Sequence, residues 1–159
     1  MRIPVVSESG RLEFSVQGVL TVRIVLRLPD GDLEIPLSAF GEDEARLEGS
    51  PARFRRTAQL HDHFALQWRG KSWEVRIPVL GPVRVRLPSG REVRVVRVPG
   101  KRGRLASEDG SFRLERRWLS MTGEASWQGE DAFPALLLVL YANARLWHAE
   151  PWSAVASPV

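Results

Sequence analysis

The 159-residue chain contains no cysteine. That excludes disulfide frameworks, zinc–thiolate sites, thiol catalysis and S-palmitoylation. Lysine is nearly missing too. Only Lys71 and Lys101 occur, so 21 of the 23 basic residues are arginine. Such a bias reflects source genome or habitat before it reflects function. Long apolar runs are scarce. The N-terminus "MRIPVVSESG" offers only Ile3 to Val6, too short for the apolar core of a signal peptide, so a cytoplasmic protein is expected. Catalytic signatures are missing as well. There is no G-x-S-x-G elbow, P-loop, G-x-G-x-x-G, H-E-x-x-H or paired-carboxylate pattern. "GKRG" at 100–103 sets a lysine between glycines without the rest of a phosphate loop, and reads as a basic turn. The expectation is a non-enzymatic protein with no cofactor.

What is present describes one globular domain over 1–159. Hydrophobic content is 43% and charged content 26%, ordinary for a chain with a core and wrong for a disordered one. No fixed-period repeat, low-complexity block or linker divides it.

From residue 2 to about 121 the chain alternates and turns. "RLEFSV" (11–16) and "VLTVRIVLRL" (19–28) are rich in β-branched residues. Pro29-Asp30-Gly31-Asp32 separates two apolar runs as a turn. Proline pre-sets one dihedral, aspartate bonds its own backbone, and glycine takes positive φ. "FALQW" and "SWEVRIPV" flank "RGK" as a second hairpin. "VRVRLPSGREVRVVRV" forms a third, turning at Pro88-Ser89-Gly90. There Val83, Val85 and Leu87 alternate with Arg84 and Arg86, and Val93 and Val95 with Arg94. Val96 breaks phase, which predicts a β-bulge near Val95-Val96. "SFRLERRWLSM" (111–121) reads as another strand, while "LSAFGEDEARLEGSPAR" (37–53) reads as short helix or loop. About nine to twelve strands result, at the spacing of barrels or sandwiches.

The pattern changes after Glu130. "DAFPALLLVLYANARLW" (131–147) predicts a helix over about 132–147, followed by a tail at 148–159. Asp131 is placed as N-cap, its carboxylate accepting first-turn amides, and Pro134 sits where its missing N–H costs little. The helix is apolar nearly all round, so it belongs inside a core or in lipid. At ~24 Å it falls short of the ~30 Å hydrocarbon layer. A single sheet covers one face of a helix, whereas a closed sheet covers all of them.

The fold class expected is therefore mainly β, a closed antiparallel barrel around a central hydrophobic C-terminal helix. A β-sandwich with a capping helix is the alternative. The run "RLERRWLSMTGEASWQGEDAFPALLLVLYANARLW" (113–147) gives a final strand, a short polar stretch, an acid at the helix start, and the apolar helix. In this it resembles the tubby-like fold, with LURP-one-related proteins nearest in size and tubby proteins and phospholipid scramblases more distant. The resemblance implies a binding or scaffold role, often at anionic lipid. It carries over no site residue.

Charge is uneven. Residues 76–104 hold nine bases against Glu92, and residues 30–48 hold seven acids against Arg46. Arg84, Arg86 and Arg94 should share one outer sheet face. With Arg97, Arg102 and Arg104 they are the anion-binding candidates, since guanidinium forks suit phosphate oxygens. One reading is a face that meets an anionic surface, phospholipid or a phosphate-bearing partner. The other is neutralisation by the acidic segment lying alongside. The chain would then be a protein-interaction or scaffold domain, homodimeric in one form. Nucleic acid is disfavoured, because no aromatic residue interleaves 76–104. A small-molecule carrier conflicts with a helix-filled interior. His61 and His63 lie on one face of "LHDHF". His148 and Glu150 are too remote in sequence to complete a metal's three or four ligands, so no metal is expected. The tryptophans are expected to plug the barrel at strand and helix ends, indole N–H on a carbonyl.

Overall fold

A computed structural model of the chain describes residues 8–18, 22–29, 31–38, 42–57, 63–78, 82–98, 104–116 and 122–149, with backbone only at 146–149. The elements are β1 (Ser9–Gln17), β2 (Val22–Leu28), β3 (Gly31–Leu37), β4 (Glu42–Leu47), β5 (Ser50–Arg56), β6 (His63–Trp68), β7 (Lys71–Arg76), β8 (Val83–Arg86), β9 (Glu92–Arg97), β10 (Arg104–Ser107), β11 (Phe112–Arg116), β12 (Thr122–Gln128) and α1 (Ala132–Ala149).

The twelve strands form one sheet in the order β3-β2-β1-β12-β11-β10-β9-β8-β7-β6-β5-β4. Every neighbouring pair in that order is antiparallel. The two end strands, β3 and β4, come back alongside each other. The result is a nearly closed barrel rather than a sandwich.

Inside it lies α1. Phe133 and the whole run Ala135–Ala142 are fully buried, covering every face of the helix. The strands supply the surrounding wall by alternation, interrupted where Ile24–Leu26 on β2 and Phe64–Leu66 on β6 are buried consecutively. Leu33 and Ile35 on β3, Ala52 and Phe54 on β5, and Phe112 and Leu114 on β11 point inward. The helix has 18 residues and is about 27 Å long. Among the described residues no helix is long and apolar enough to cross a membrane.

Asp131 stands where an N-cap should, and its carbonyl accepts the Ala135 N–H at 3.4 Å. Its carboxylate, however, lies 3.5 Å from the Lys71 ammonium. Opposite charge from β7 occupies it in place of first-turn amides. The described tryptophans plug this end as expected. Trp68 Nε1 donates to the Leu47 carbonyl at 3.1 Å, and Trp73 Nε1 to the Asp131 carbonyl at 3.2 Å. Trp127 packs on Phe133 with ring centroids 4.5 Å apart. The side chains of Trp118, Trp147 and Trp152 lie outside the described residues.

Two expectations are corrected. The stretch 37–53 contributes β4 and the start of β5. Asp43, Ala45 and Leu47 face inward and Glu42, Glu44 and Arg46 outward, so an inward aspartate hides a period-two strand. No bulge interrupts β9. Its pairing with β10 keeps one register through Val95, Val96 and Arg97. Val96 is a partly buried outer-face residue, and Arg97 takes an inward phase at the strand end, where the barrel opens.

The two rims differ. Tight turns join β2–β3, β4–β5 and β6–β7 at the rim where α1 begins. At 48–49 and 69–70 both central residues have positive φ, Glu48 and Arg69 at 51° preceding Gly49 at 75° and Gly70 at 73°. That is the twist a two-residue hairpin requires. The opposite rim carries the longer connections.

Among the described residues no ladder joins β3 and β4. Pairs alternate between hydrogen-bonded and non-hydrogen-bonded from the two-residue turn closed by Leu28 and Gly31. Counting along puts Pro36, opposite Arg23, in a non-hydrogen-bonded pair. Its nitrogen therefore faces β4, with no proton to donate. Side chains bridge the gap. Ser38 N–H donates to Asp43 Oδ1 at 2.7 Å, and Ser38 Oγ to the Glu42 carbonyl at 2.9 Å. From α1, the Tyr141 hydroxyl donates to Asp43 Oδ2 at 2.5 Å. Arg145 Nη2 also donates to Asp43 Oδ2, Arg145 Nη1 to the Ser38 carbonyl, and Arg145 Nε to the Tyr141 oxygen at 3.1 Å. Burial and then the bond to Asp43 push the Tyr141 hydroxyl well above its ordinary pKa, which keeps it a donor.

A helix enclosed on all sides has no tolerant face. Leu136 and Leu138 sit about 200° apart around the helix axis, and both are fully buried. Leu136→Ala and Leu138→Ala should each cost about 2–5 kcal/mol in urea unfolding. A near-neutral result at either position would place one helix face outside the core.

Candidate anion-binding face

The arginine candidates lie on the wall formed by β7, β8 and β9. Register decides their neighbours. Arg76 is opposite Arg84, and Arg84 is opposite Arg94. These three side chains form one outward row across three strands, all exposed. Like charges directly opposite one another disfavour the sheet. The next row is balanced, because Glu74 is opposite Arg86 and Arg86 is opposite Glu92. A shallow groove of about 200 Å³ runs between the rows, lined by His63, Glu74, Arg76, Arg84, Arg86 and Glu92.

The expected neutralisation by the acidic 30–48 segment is not what the fold arranges. Three strands separate β4 from β8 in the sheet order. Acids of that segment find other bases: Glu34 pairs with Arg23 at 3.5 Å, Glu44 with Arg53 at 3.4 Å and Glu48 with Arg69 at 2.8 Å. The arginines of the basic wall meet acids from nearer strands. Arg84 lies 3.5 Å from Glu92, Arg86 3.8 Å from Glu74, Arg94 3.4 Å from Glu108 and Arg91 2.8 Å from Asp109. These pairs are largely exposed, and exposed pairs contribute little, at most about 1 kcal/mol each. Arg76 makes no ion pair with any described residue.

The remaining candidates separate from this row. Arg104, at the start of β10, is committed to Glu115, with Nη2 at 2.6 Å and Nε at 3.2 Å from one carboxylate oxygen. Arg102 lies outside the described residues. Arg97 ends β9 in the inward phase, and it has company the sequence did not announce. β5, β7, β9 and β11 end in Arg56, Arg76, Arg97 and Arg116. Antiparallel order puts these four ends on one rim, the rim toward which α1 runs. Burial lowers the pKa of Arg97 and of Arg116, although an arginine stays charged at neutral pH.

No protein family, curated protein or solved structure matches the chain.

His63 Nε2 lies 3.8 Å from Glu74 Oε2, beside the arginine row. Among the described residues no group of three or more metal-ligating side chains comes together. His61 lies outside the described residues, and of His148 only the backbone is described.

The row contributes charge, not stability. Arg84 has an arginine on either side, so Arg84→Gln should shift the unfolding free energy by less than about 0.5 kcal/mol. A loss above about 1.5 kcal/mol in urea unfolding would make Arg84 a structural residue.

Proposed function

We propose that this is a non-enzymatic binding domain of the tubby-like, LURP-one-related kind, which meets an anionic surface through its arginine wall. The surface is phospholipid or a phosphate-bearing partner. One observation carries the reading: Arg76 stands opposite Arg84 and Arg84 opposite Arg94, while the next row, Glu74, Arg86 and Glu92, sets acid against base. An external anion relieves that repulsion, and planar guanidinium groups match phosphate oxygens two at a time. The arginines that end β5, β7, β9 and β11 extend the positive surface to one rim. No Phe, Tyr or Trp side chain lines the groove, which favours phosphate over stacked bases.

Vesicle co-sedimentation at low and high salt tests this. Vesicles rich in phosphatidylserine should pellet the protein at low salt and release it at high salt, whereas phosphatidylcholine vesicles should not pellet it. The Arg76→Gln/Arg84→Gln/Arg94→Gln variant should lose at least about tenfold in affinity, at about 1 kcal/mol per basic residue near such a surface. Equal, salt-insensitive binding of wild type and variant would overturn the reading.

The local acid–base pairing of Arg84, Arg86, Arg91 and Arg94 favours a second reading, a scaffold or homodimer with charges balanced internally. Light scattering decides that one: a mass near twice 17.9 kDa together with no vesicle binding would support it.

A further inference from the structure

Eleven strand junctions of the barrel are backbone ladders, and among the described residues the twelfth is not. At β3–β4 the wall is held by side chains from one end of the seam. Among the described residues the polar links across it are those of Ser38, Glu42 and Asp43, reinforced from α1 by Tyr141 and Arg145. The cluster is compact and closed. Asp43 has a side chain only 1% exposed, and its two oxygens receive the Ser38 amide, the tyrosine hydroxyl and the guanidinium. The Tyr141 ring is wedged between Phe54 and Phe64, with centroids 4.9 Å and 6.1 Å away. One buried carboxylate thus ties together the end of β3, the start of β4 and the last turns of the helix.

We infer that the β3–β4 seam is the built-in opening of this barrel and that Asp43, Tyr141 and Arg145 are its latch. A ladder spreads its bonds along a whole strand, so parting it breaks many at once. The seam concentrates its polar links at one cluster, and Pro36 withholds the donor that would have extended them. When the cluster parts, β3 and β4 can separate while the other junctions stay paired. The opened seam frees Arg145 and the Tyr141 hydroxyl, whose ring stays between Phe54 and Phe64, and it exposes two strand edges. Opening is a sub-global event, distinct from unfolding of the whole sheet.

Hydrogen exchange read by mass spectrometry on the full chain tests this. In the wild type, amides of β3, of β4 and of the last two turns of α1 should exchange faster than those of β9 to β11. Tyr141→Phe removes two hydrogen bonds, the one to Asp43 and the one from Arg145 Nε, and keeps the ring, so seam amides should exchange at least about tenfold faster. Asp43→Asn leaves Arg145 buried without its counter-charge, and the same amides should gain at least about a hundredfold. In both variants the amides of β9 to β11 should change by less than a third as much on a logarithmic scale. Val95→Ala, in the wall away from the seam, separates latch loss from general weakening: it should leave the seam-to-wall ratio where the wild type has it. The inference is overturned if the wild-type seam is as protected as β9 to β11. It is also overturned if Tyr141→Phe accelerates all strands equally. Should Asp43→Asn fail to fold, the Tyr141→Phe and Val95→Ala pair still decides.

Discussion

A helix with no polar face is the constraint from which this architecture follows. Phe133 and the run from Ala135 to Ala142 have no solvent-facing side, so each direction around the axis needs an apolar wall. One sheet supplies that only by curling until its ends meet. The alternation along each strand then sorts itself, inward residues packing on the helix and outward residues meeting water. Close approach has its own demands. A Cβ added to Gly123 on β12 would sit 2.1 Å from the Glu115 carbonyl oxygen and 2.5 Å from the Phe14 ring. Where β1, β11 and β12 crowd together, only a glycine fits.

Closure leaves one polar problem, and the helix solves it. Pro36 denies β3 a donor on the seam side, so a backbone junction there would leave gaps. Arg145 and Tyr141, four residues apart and therefore on one face, reach across to Asp43 and Ser38. Burial alone would make the guanidinium easier to deprotonate. The hydrogen bonds to Tyr141 and Asp43, with the charge of Asp43, outweigh it and raise the Arg145 pKa. The same rim carries the arginines that end β5, β7, β9 and β11. Positive charge there also suits the negative end of the helix dipole.

Much of the fold was legible in the residues. Alternation in "VRVRL" and turn chemistry at Pro29-Asp30-Gly31 marked strands and hairpins. The all-round apolar run marked a helix whose observed start, Ala132, is the expected one and whose end, Ala149, lies two residues beyond. Where reading failed, a polar residue pointed the wrong way. Asp43 faces inward, which disguised β4. The phase break at Val96 comes from a partly buried outer valine, not an extra residue. Which acid neutralises which arginine depends on strand order, and hairpin signals do not encode that. Glu74, Glu108 and Glu115 flank the basic stretch in sequence, yet adjacency across the sheet makes them its partners. The latch spans 98 residues from Asp43 to Tyr141, beyond any local pattern. One sign was available: a hydroxyl and a guanidinium four apart in an apolar helix require a buried acceptor.

The order of elements along the chain has a consequence for how the molecule is made. Alpha1 follows all twelve strands, so on the ribosome each strand emerges before the helix it packs against exists. Hairpins such as β6–β7 can form early from local contacts, but their inner faces have no apolar partner until α1 leaves the exit tunnel. A nascent sheet in that condition exposes greasy surface for many seconds at ordinary translation speeds of about 5–20 residues per second. Holdase chaperones would therefore find this chain a client during synthesis and lose it once α1 docks.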